Sequence, residues 1–469
     1  MIDALKPYPA YKDANLPWLG RVPQHWAEQR AKYFFREVDE RSTTGEEELL
    51  SVSHVTGVTP RKQNVTMFMA ESNVGHKVCR PGDLVINTMW AFMAALGVAK
   101  QTGVVSPSYG VYRPRQPGCL LPDFVDHLLR VDAYKSEYLC RSTGIRASRL
   151  RLYPEQFLRI PILCPPPDEQ AAIVRFLRHL ERRVRRYIRA KRRIIDLLNE
   201  QKQAIIHRAV SRGLNPNVHL KSSGVEWLGD VPDHWILKRF KFVTSITSGQ
   251  VDPREPEYRN QVLIAPNHIE SGSGRIIRQE TADHQGADSG KYLVQAGQII
   301  YSKIRPNLRK AAIATTDCLC SADMYPIWPR TSELHPEYLL MLLLSEPFTK
   351  YAVDCSMRVA MPKINRQALG ECRLWYPPLV EQDKILRHLK ERLSLPDEAA
   401  AAIRREVEYV RNFRARLAAD VVSGNLDVRK AVAFLPDEPD EMEPVDETDI
   451  FADGDDDIDA NAVPEEADA

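Results

Sequence analysis

Paired cysteines are missing from this chain. Its eight cysteines are scattered with no CxxC spacing, and Cys318 and Cys320, one residue apart, are wrongly spaced for a zinc knuckle. That argues against a disulfide-stapled or zinc-ribbon fold and predicts reduced thiols, as in the cytosol. No run of about 18 apolar residues occurs, so no membrane-spanning helix is expected. The first residues, MIDALKPYPAYKD, lack the apolar core of a secretory signal, and a cytoplasmic location is the expectation.

Catalytic signatures are equally scarce. There is no GxxxxGK(S/T) loop to cradle a nucleoside triphosphate, no glycine-rich turn suited to a dinucleotide or methyl-donor nucleotide, and no HExxH. The Pro-Pro pairs at Pro166 and Pro377 lack the flanking Asn or Asp and the aromatic that an amino-methyltransferase loop would use. Glu200 and Lys202 come nearest to a nuclease cluster, but they sit within a helical stretch and read as helix surface. A chain without catalysis, cofactor or metal of its own is expected. A nuclease or methyltransferase site of unfamiliar form is the competing enzyme reading.

The charge is unevenly placed. The formal net charge is +1, yet residues 437–469 hold 16 Asp and Glu and no Lys or Arg. The preceding residues then carry 64 basic against 47 acidic side chains. A basic body suits a polyanionic partner, nucleic acid first. The tail is too polar to bury a core and is expected to be disordered. It is either a solubilising segment or one that folds back to compete for a basic groove.

The strongest positive feature is a duplication. Trp18 to Trp26 reads WLGRVPQHW, and Trp227 to Trp235 reads WLGDVPDHW, 209 positions later. Further anchors recur at offsets of 212 to 215. Gly82-Asp83-Leu84-Val85 matches Gly297-Gln298-Ile299-Ile300, and Ser106 to Pro114 matches Ser321 to Pro329. Pro166-Pro167-Asp168-Glu169-Gln170 matches Pro378-Leu379-Val380-Glu381-Gln382. The same domain therefore occurs twice. His25 and His234 recur beside the tryptophans and read as packed, hydrogen-bonded side chains rather than catalytic ones. Residues 25–164 and 234–375 read as mixed α/β, with β-rich runs at Gly82–Asn87 and Gly297–Ser302 and helical pieces at Phe124–Cys140 and Pro336–Phe348.

A long helix succeeds each copy. Ile173, Leu177, Leu180, Val184, Tyr187, Lys191, Ile194, Leu198, Gln201 and Ile205 recur at alternating three- and four-residue steps, a coiled-coil seam with polar interruptions. This helix begins after a proline run and ends at Gly213. The second copy offers Ile385, Leu389, Ile403, Val407, Val410, Leu417 and Val421, with Pro396 expected to break or kink it and Ser394 able to cap the restart. A seam needs a partner, and the other copy's seam supplies one. Each helix packing on its own domain is the simpler alternative. The fold class is thus α+β: two tandem α/β domains separated and joined by two long helices packed as an antiparallel coiled coil, with pseudo-two-fold symmetry.

The copies differ most at one place. Ser302 to Lys310 reads SKIRPNLRK, whereas the aligned Asn87 to Ala95 reads NTMWAFMAA. Lys303, Arg305, Arg309 and Lys310 can reach guanine edges and Asn307 an adenine edge, while apolar groups touch thymine methyls. Drift of a surface loop is the bland alternative. Elsewhere charge is kept: Arg146 and Arg151 align with Arg358 and Lys363, as suits phosphate contact common to both copies, or a solvated loop. Residues 168–212 hold 13 basic and 5 acidic side chains, a solvated face, a DNA-backbone contact or a dock for an acidic partner.

The WLGxVPxHW and PPxxEQ motifs, each present twice in a domain-plus-helix plan, resemble the specificity subunit of type I restriction–modification systems. The resemblance covers about residues 8–430. It implies target-recognition domains at 1–165 and 216–376, spacer helices at 166–215 and 377–435, and an acidic extension at 436–469 that the family does not explain. It further implies a non-catalytic subunit that binds a bipartite, asymmetric double-stranded DNA sequence and recruits two methyltransferase subunits, which methylate adenine, and ATP-dependent restriction subunits. The alternative is a protein-binding scaffold with two repeated domains and no direct sequence readout.

Overall fold

The duplicated tryptophan motif folds against a helix start, and it does so twice. The computed structural model describes residues 5–61, 72–144, 150–356 and 362–436. It divides into two units, one holding the chain up to Lys191 and from Glu406 onward, the other Arg192–Arg405. The two long helices are α1, Pro167–Arg212, and α2, Leu379–Val422, and each contributes one part to each unit.

In the first unit the buried Glu169 carboxylate, in the first turn of α1, accepts from Trp26 Nε1 at 2.9 Å and from Tyr8 Oη at 3.2 Å. His25 Nε2 lies 2.7 Å from its other oxygen, and Arg429 Nη1 lies 3.1 Å away. Gln170 takes the Leu121 amide at 2.8 Å and donates to Cys119 O and Pro165 O. The second unit repeats this. Glu381 meets His234 Nε2 at 2.6 Å and Trp235 Nε1 at 3.2 Å, and Gln382 accepts from the His335 amide and donates to Glu333 O and Pro377 O. Buried polar groups need partners. The Trp-His pair and the Glu-Gln pair supply one another, so two motifs far apart in sequence are one structural knot. The histidines are hydrogen-bonded as expected but not packed away, their side chains being 43% and 47% exposed, and the carboxylates act as more than helix-dipole complements.

Each unit carries the same four-stranded antiparallel sheet. In the first unit the strands are β1, Phe35–Glu37, β2, Leu84–Ile86, β3, Leu96–Val98, and β4, Gly110–Pro114, in the order β1-β4-β2-β3. In the second unit β5, Thr244–Ile246, β6, Ile299–Ser302, β7, Ala311–Ile313, and β8, Met324–Pro329, take the order β5-β8-β6-β7. β2 and β6 are buried along their whole length, as apolar runs of this kind should be. The first-copy helical stretch is interrupted: Pro122–Leu128 and Asp132–Arg141 are separate helices, as are Pro336–Leu344 and Glu346–Asp354 in the second copy.

Within the first unit Ile173, Leu177, Leu180 and Val184 of α1 are buried in a core shared with Leu417 and Val421 of α2. Arg414 Nη1 meets Glu181 at 3.0 Å and Lys191 meets Glu406 at 2.8 Å, so rising numbers on one helix face falling numbers on the other. Val407 is buried and Val410 is packed against that core. Within the second unit Ile206, Ala209 and Val210 share a core with Ile385 and Leu389, and Lys202 pairs with Asp397. There Ile205 is partly buried, Leu198 and Ile403 are half-buried and Ile194 is exposed. Lys202, Ile206 and Ala209 are among the buried positions on this stretch of α1, each one residue later than a strict seven-residue repeat places it. A straight helix drifts about 20° per heptad, which accumulates in that direction.

Pro396 does not break the second helix. α2 is continuous from Leu379 to Val422 with Pro396 inside it, on the buried side. Ser394 caps no restart: its hydroxyl donates to the Glu391 carbonyl at 2.9 Å, within the turn before the proline. Among the described residues no helix is long and apolar enough to cross a membrane. The expectation of a disordered acidic tail falls on residues 437–469, outside the described residues.

Candidate nucleic-acid interface

The loop between β6 and β7 and its counterpart between β2 and β3 share one backbone scaffold. In the second unit Ser302 N donates to Lys310 O, Leu308 N to Arg305 O and Arg309 N to Pro306 O, at 2.9, 2.9 and 3.0 Å. In the first unit Asn87 N donates to Ala95 O, Met93 N to Trp90 O and Ala94 N to Ala91 O, at 2.9, 3.0 and 2.8 Å. Each pair of bonds is related by the same 215-residue offset. A fourth recurs: Ile364 N to Lys303 O, and Leu152 N to Thr88 O, both 2.9 Å. Arg309 and Ala94, the matching residues, both take left-handed φ values, +49° and +59°. Arg305 adds a third at +46°. Such conformations cost non-glycine residues roughly 1–2 kcal/mol and collect where a loop is held for a purpose.

What the scaffold carries differs between the units. In the second, Arg305 and Asn307 are exposed at the loop tip. Lys303 is turned inward, its ammonium on Ala322 O and 5.4 Å from the Tyr325 ring centroid. Arg309 Nη1 donates to Gln203 Oε1 at 2.7 Å, and Lys310 Nζ donates to Pro266 O at 2.7 Å. Burial holds the Lys310 ammonium below the usual lysine range. Of the five polar residues in this loop, then, two point to solvent and three bind the protein. In the first unit Trp90 and Phe92 are half-buried and Met93 is exposed, while Asn87 Nδ2 donates to Tyr109 Oη at 3.1 Å.

Folding brings a distant residue to each loop. Lys363 is exposed, and its backbone bridges Ile304. Arg305 N donates to Pro362 O at 2.9 Å. Arg151, the aligned residue, is exposed beside the first loop, with Nη2 3.9 Å from Met89 Sδ. Arg146 and Arg358 lie outside the described residues. The sequence reading missed two residues that hold the second loop's surroundings. Gln203 of α1 takes Arg309 and also donates to Gly272 O at 2.9 Å. Arg366 donates to Thr247 O and Ser248 Oγ and sits 5.2 Å over the Tyr325 ring, beside Tyr292. Neither carries a local signal, because each contact joins segments far apart in sequence.

Comparison with known proteins gives a consistent kinship. Residues 260–408 match the family described as type I restriction modification DNA specificity domain. The EcoDI specificity subunit of a type I restriction enzyme, from Escherichia coli, is 33% identical over 282 residues, which is 57% of this chain and 62% of that protein. Among solved structures, a chain described under complex assembly and conformational transition of the type I R-M system superposes with a TM-score of 0.55 at 16% identity. That match covers 86% of this chain and 99% of that one. The HsdS subunit from Thermoanaerobacter tengcongensis gives 0.38 at 18% identity, over 86% and 96% of the two chains, too low to bear on the fold. The mixed α/β architecture with two units and long helices agrees with the first of these. The resemblance carried by the duplicated motifs is therefore borne out: this chain is similar to type I specificity subunits, and its residues 260–408 match the type I restriction modification DNA specificity domain family.

Proposed function

We propose that this chain is the non-catalytic, sequence-reading subunit of a type I restriction–modification complex, and that each unit reads one half of a bipartite, asymmetric double-stranded DNA target. Target-recognition domains are assigned to residues 1–165 and 216–376, and spacer helices to 166–215 and 377–435. The opposed ion pairs of α1 and α2 within each unit support an antiparallel coiled coil and pseudo-two-fold symmetry. One observation carries the reading: two loops with the same hydrogen-bonded backbone present Arg305 and Asn307 in one unit and Trp90, Phe92 and Met93 in the other. A fixed frame with exchanged tips is what two different half-sites require. Arginine addresses guanine, asparagine adenine, and apolar groups thymine methyls. Lys363 and Arg151, at matching positions beside the loops, suit phosphate contact. The partners are two methyltransferase subunits and the restriction subunits, which supply the chemistry.

Mapping DNA methylation in a host that expresses this chain with its methyltransferase partner tests the proposal. The expected result is methylated adenines in one split motif whose halves differ. A methylation pattern that ignores this chain's presence, or duplex binding that does not weaken with salt, overturns it in favour of a protein-binding scaffold.

A further inference from the structure

The β6–β7 loop is tied to α1 by a closed ring of three hydrogen bonds. Arg309 Nη1 donates to Gln203 Oε1 at 2.7 Å, Gln203 Nε2 donates to Gly272 O at 2.9 Å, and Gly272 N donates to Arg309 O at 3.0 Å. The partners fix which end of the Gln203 amide is oxygen, since one is a guanidinium and the other a carbonyl. Gly272 is shaped for the contact. Its φ is +68°, and a Cβ there would stand 3.1 Å from Gln203 Nε2, so the turn comes this close because the residue has no side chain. The same turn is held from α2. Glu270, two residues before Gly272, accepts from Arg404 Nη2 at 2.7 Å and from Arg275 Nη2 at 2.6 Å, and its amide donates to Arg275 O at 3.0 Å. All of these residues lie in the second unit.

The first unit holds its loop by other means. Ala94 stands where Arg309 does, with no side chain to reach a helix, and Trp90 and Phe92 are half-buried. An apolar loop is held by burial of its own side chains. A polar loop whose tips, Arg305 and Asn307, point to solvent has no such anchor and depends on bonds made from its base. Reading a base edge needs the side chain placed to within about 0.5 Å, and that precision comes from the groups behind it. We propose that Gln203 is a specificity-determining positioning residue: by holding Arg309 it orients Arg305 and Asn307, so a side chain of α1 governs which base pairs the second unit accepts. This role rests on the DNA-reading function, and Gln203 acts in it through the loop rather than on the duplex.

Methylation is mapped in a host expressing the full chain or its variants with the methyltransferase partner, and amide exchange is measured on the full chain without DNA. Gln203→Ala should lower discrimination between matched and singly mismatched sites about tenfold in one half of the split motif, the half that Arg305→Ala with Asn307→Ala relaxes, and leave the other half as in wild type. Gln203→Glu keeps an acceptor for Arg309 and should retain wild-type discrimination. Without DNA, Gln203→Ala should speed exchange at the Leu308 and Arg309 amides roughly tenfold and leave the matching Met93 and Ala94 amides unchanged. If Gln203→Ala unfolds the second unit, seen as faster exchange throughout it, Arg309→Met removes the same bond from the loop side and the exchange comparison is made with that variant. Wild-type discrimination in Gln203→Ala, equal loss in both halves, a Gln203→Glu variant as relaxed as Gln203→Ala, or unchanged exchange at Leu308 and Arg309 overturns the proposal and leaves the DNA-reading function standing. A wild-type chain that gives no split motif overturns that function, and this role with it.

Discussion

Glu169 and Glu381 occupy the same position in the two copies but are held differently. Glu169 is 3% exposed and receives Tyr8, His25, Trp26 and Arg429, whereas Glu381 is 29% exposed and receives His234 and Trp235. Removing a buried carboxylate leaves its donors unpaired in a dry site, which costs about 3–5 kcal/mol when a charge is among them. A half-exposed one lets water replace it, and the loss falls to about 1–3 kcal/mol. Glu169→Ala should therefore destabilise the protein more than Glu381→Ala. Denaturant titration followed by tryptophan fluorescence measures both, since Trp26 and Trp235 are the donors concerned. The reverse order would mean that the two knots do not differ in the way their burial states. The glycines that end the helices show a parallel contrast. A Cβ on Gly424, at φ +82°, would stand 2.3 Å from Pro23 Cδ, while on Gly213, at φ +71°, it would meet Glu381 Oε1 at 3.1 Å. The end of α2 is closed against backbone-bound ring atoms and the end of α1 against the end of a flexible side chain.

At the scale of elements, the pairing of α1 with α2 in the first unit rests partly on Glu181. Burial would raise its carboxyl, but the Arg414 charge and the Arg185 hydrogen bond outweigh that and hold it below the usual range. A depressed folded-state value stabilises above the ordinary one, near 4.5, and the contribution is lost as pH falls through the depressed value. Wild type should exceed Glu181→Gln in thermal stability at neutral pH, and the difference should shrink steadily below about pH 4.5. A difference constant down to pH 2 would show that the charge is not what matters. The elements also mark how far the sequence could be read. Both long helices, both β-rich runs and the duplication come from apolar spacing and repeated anchors, whereas the bonding of the Trp-His motif to the Glu-Gln motif is created by folding. Two features did not. Pro396 reads as a break because proline lacks an amide and crowds the preceding turn, yet tertiary burial of its ring side and the Lys202–Asp397 pair alongside go with an unbroken α2. Ile194 reads as seam because a seven-residue repeat was extended along a helix whose true period is slightly longer.

For the molecule as a whole, duplication separates what is shared from what is particular. The sheet order, the knot and the loop's hydrogen bonds recur, and the tips of the loops do not. Candidate residues were legible in sequence as a cluster of cations, but their division was not. Lys303, Arg309 and Lys310 bind Ala322, Gln203 and Pro266 within the second unit, through contacts that only folding creates. Arg305, Asn307 and Lys363 remain exposed, which separates two kinds of effect. Arg305→Ala with Asn307→Ala should relax one half of the methylated motif and leave the other half unchanged, since each bidentate base contact discriminates by about 1–3 kcal/mol. Lys363→Ala should instead weaken binding to every duplex alike and lower the slope of log affinity against log salt by about 1. Methylation mapping reads the first and salt-dependent gel shifts read the second. If the tip variant degraded both half-motifs equally, the loop would be a general cationic patch, and the difference between the two copies would carry no sequence information.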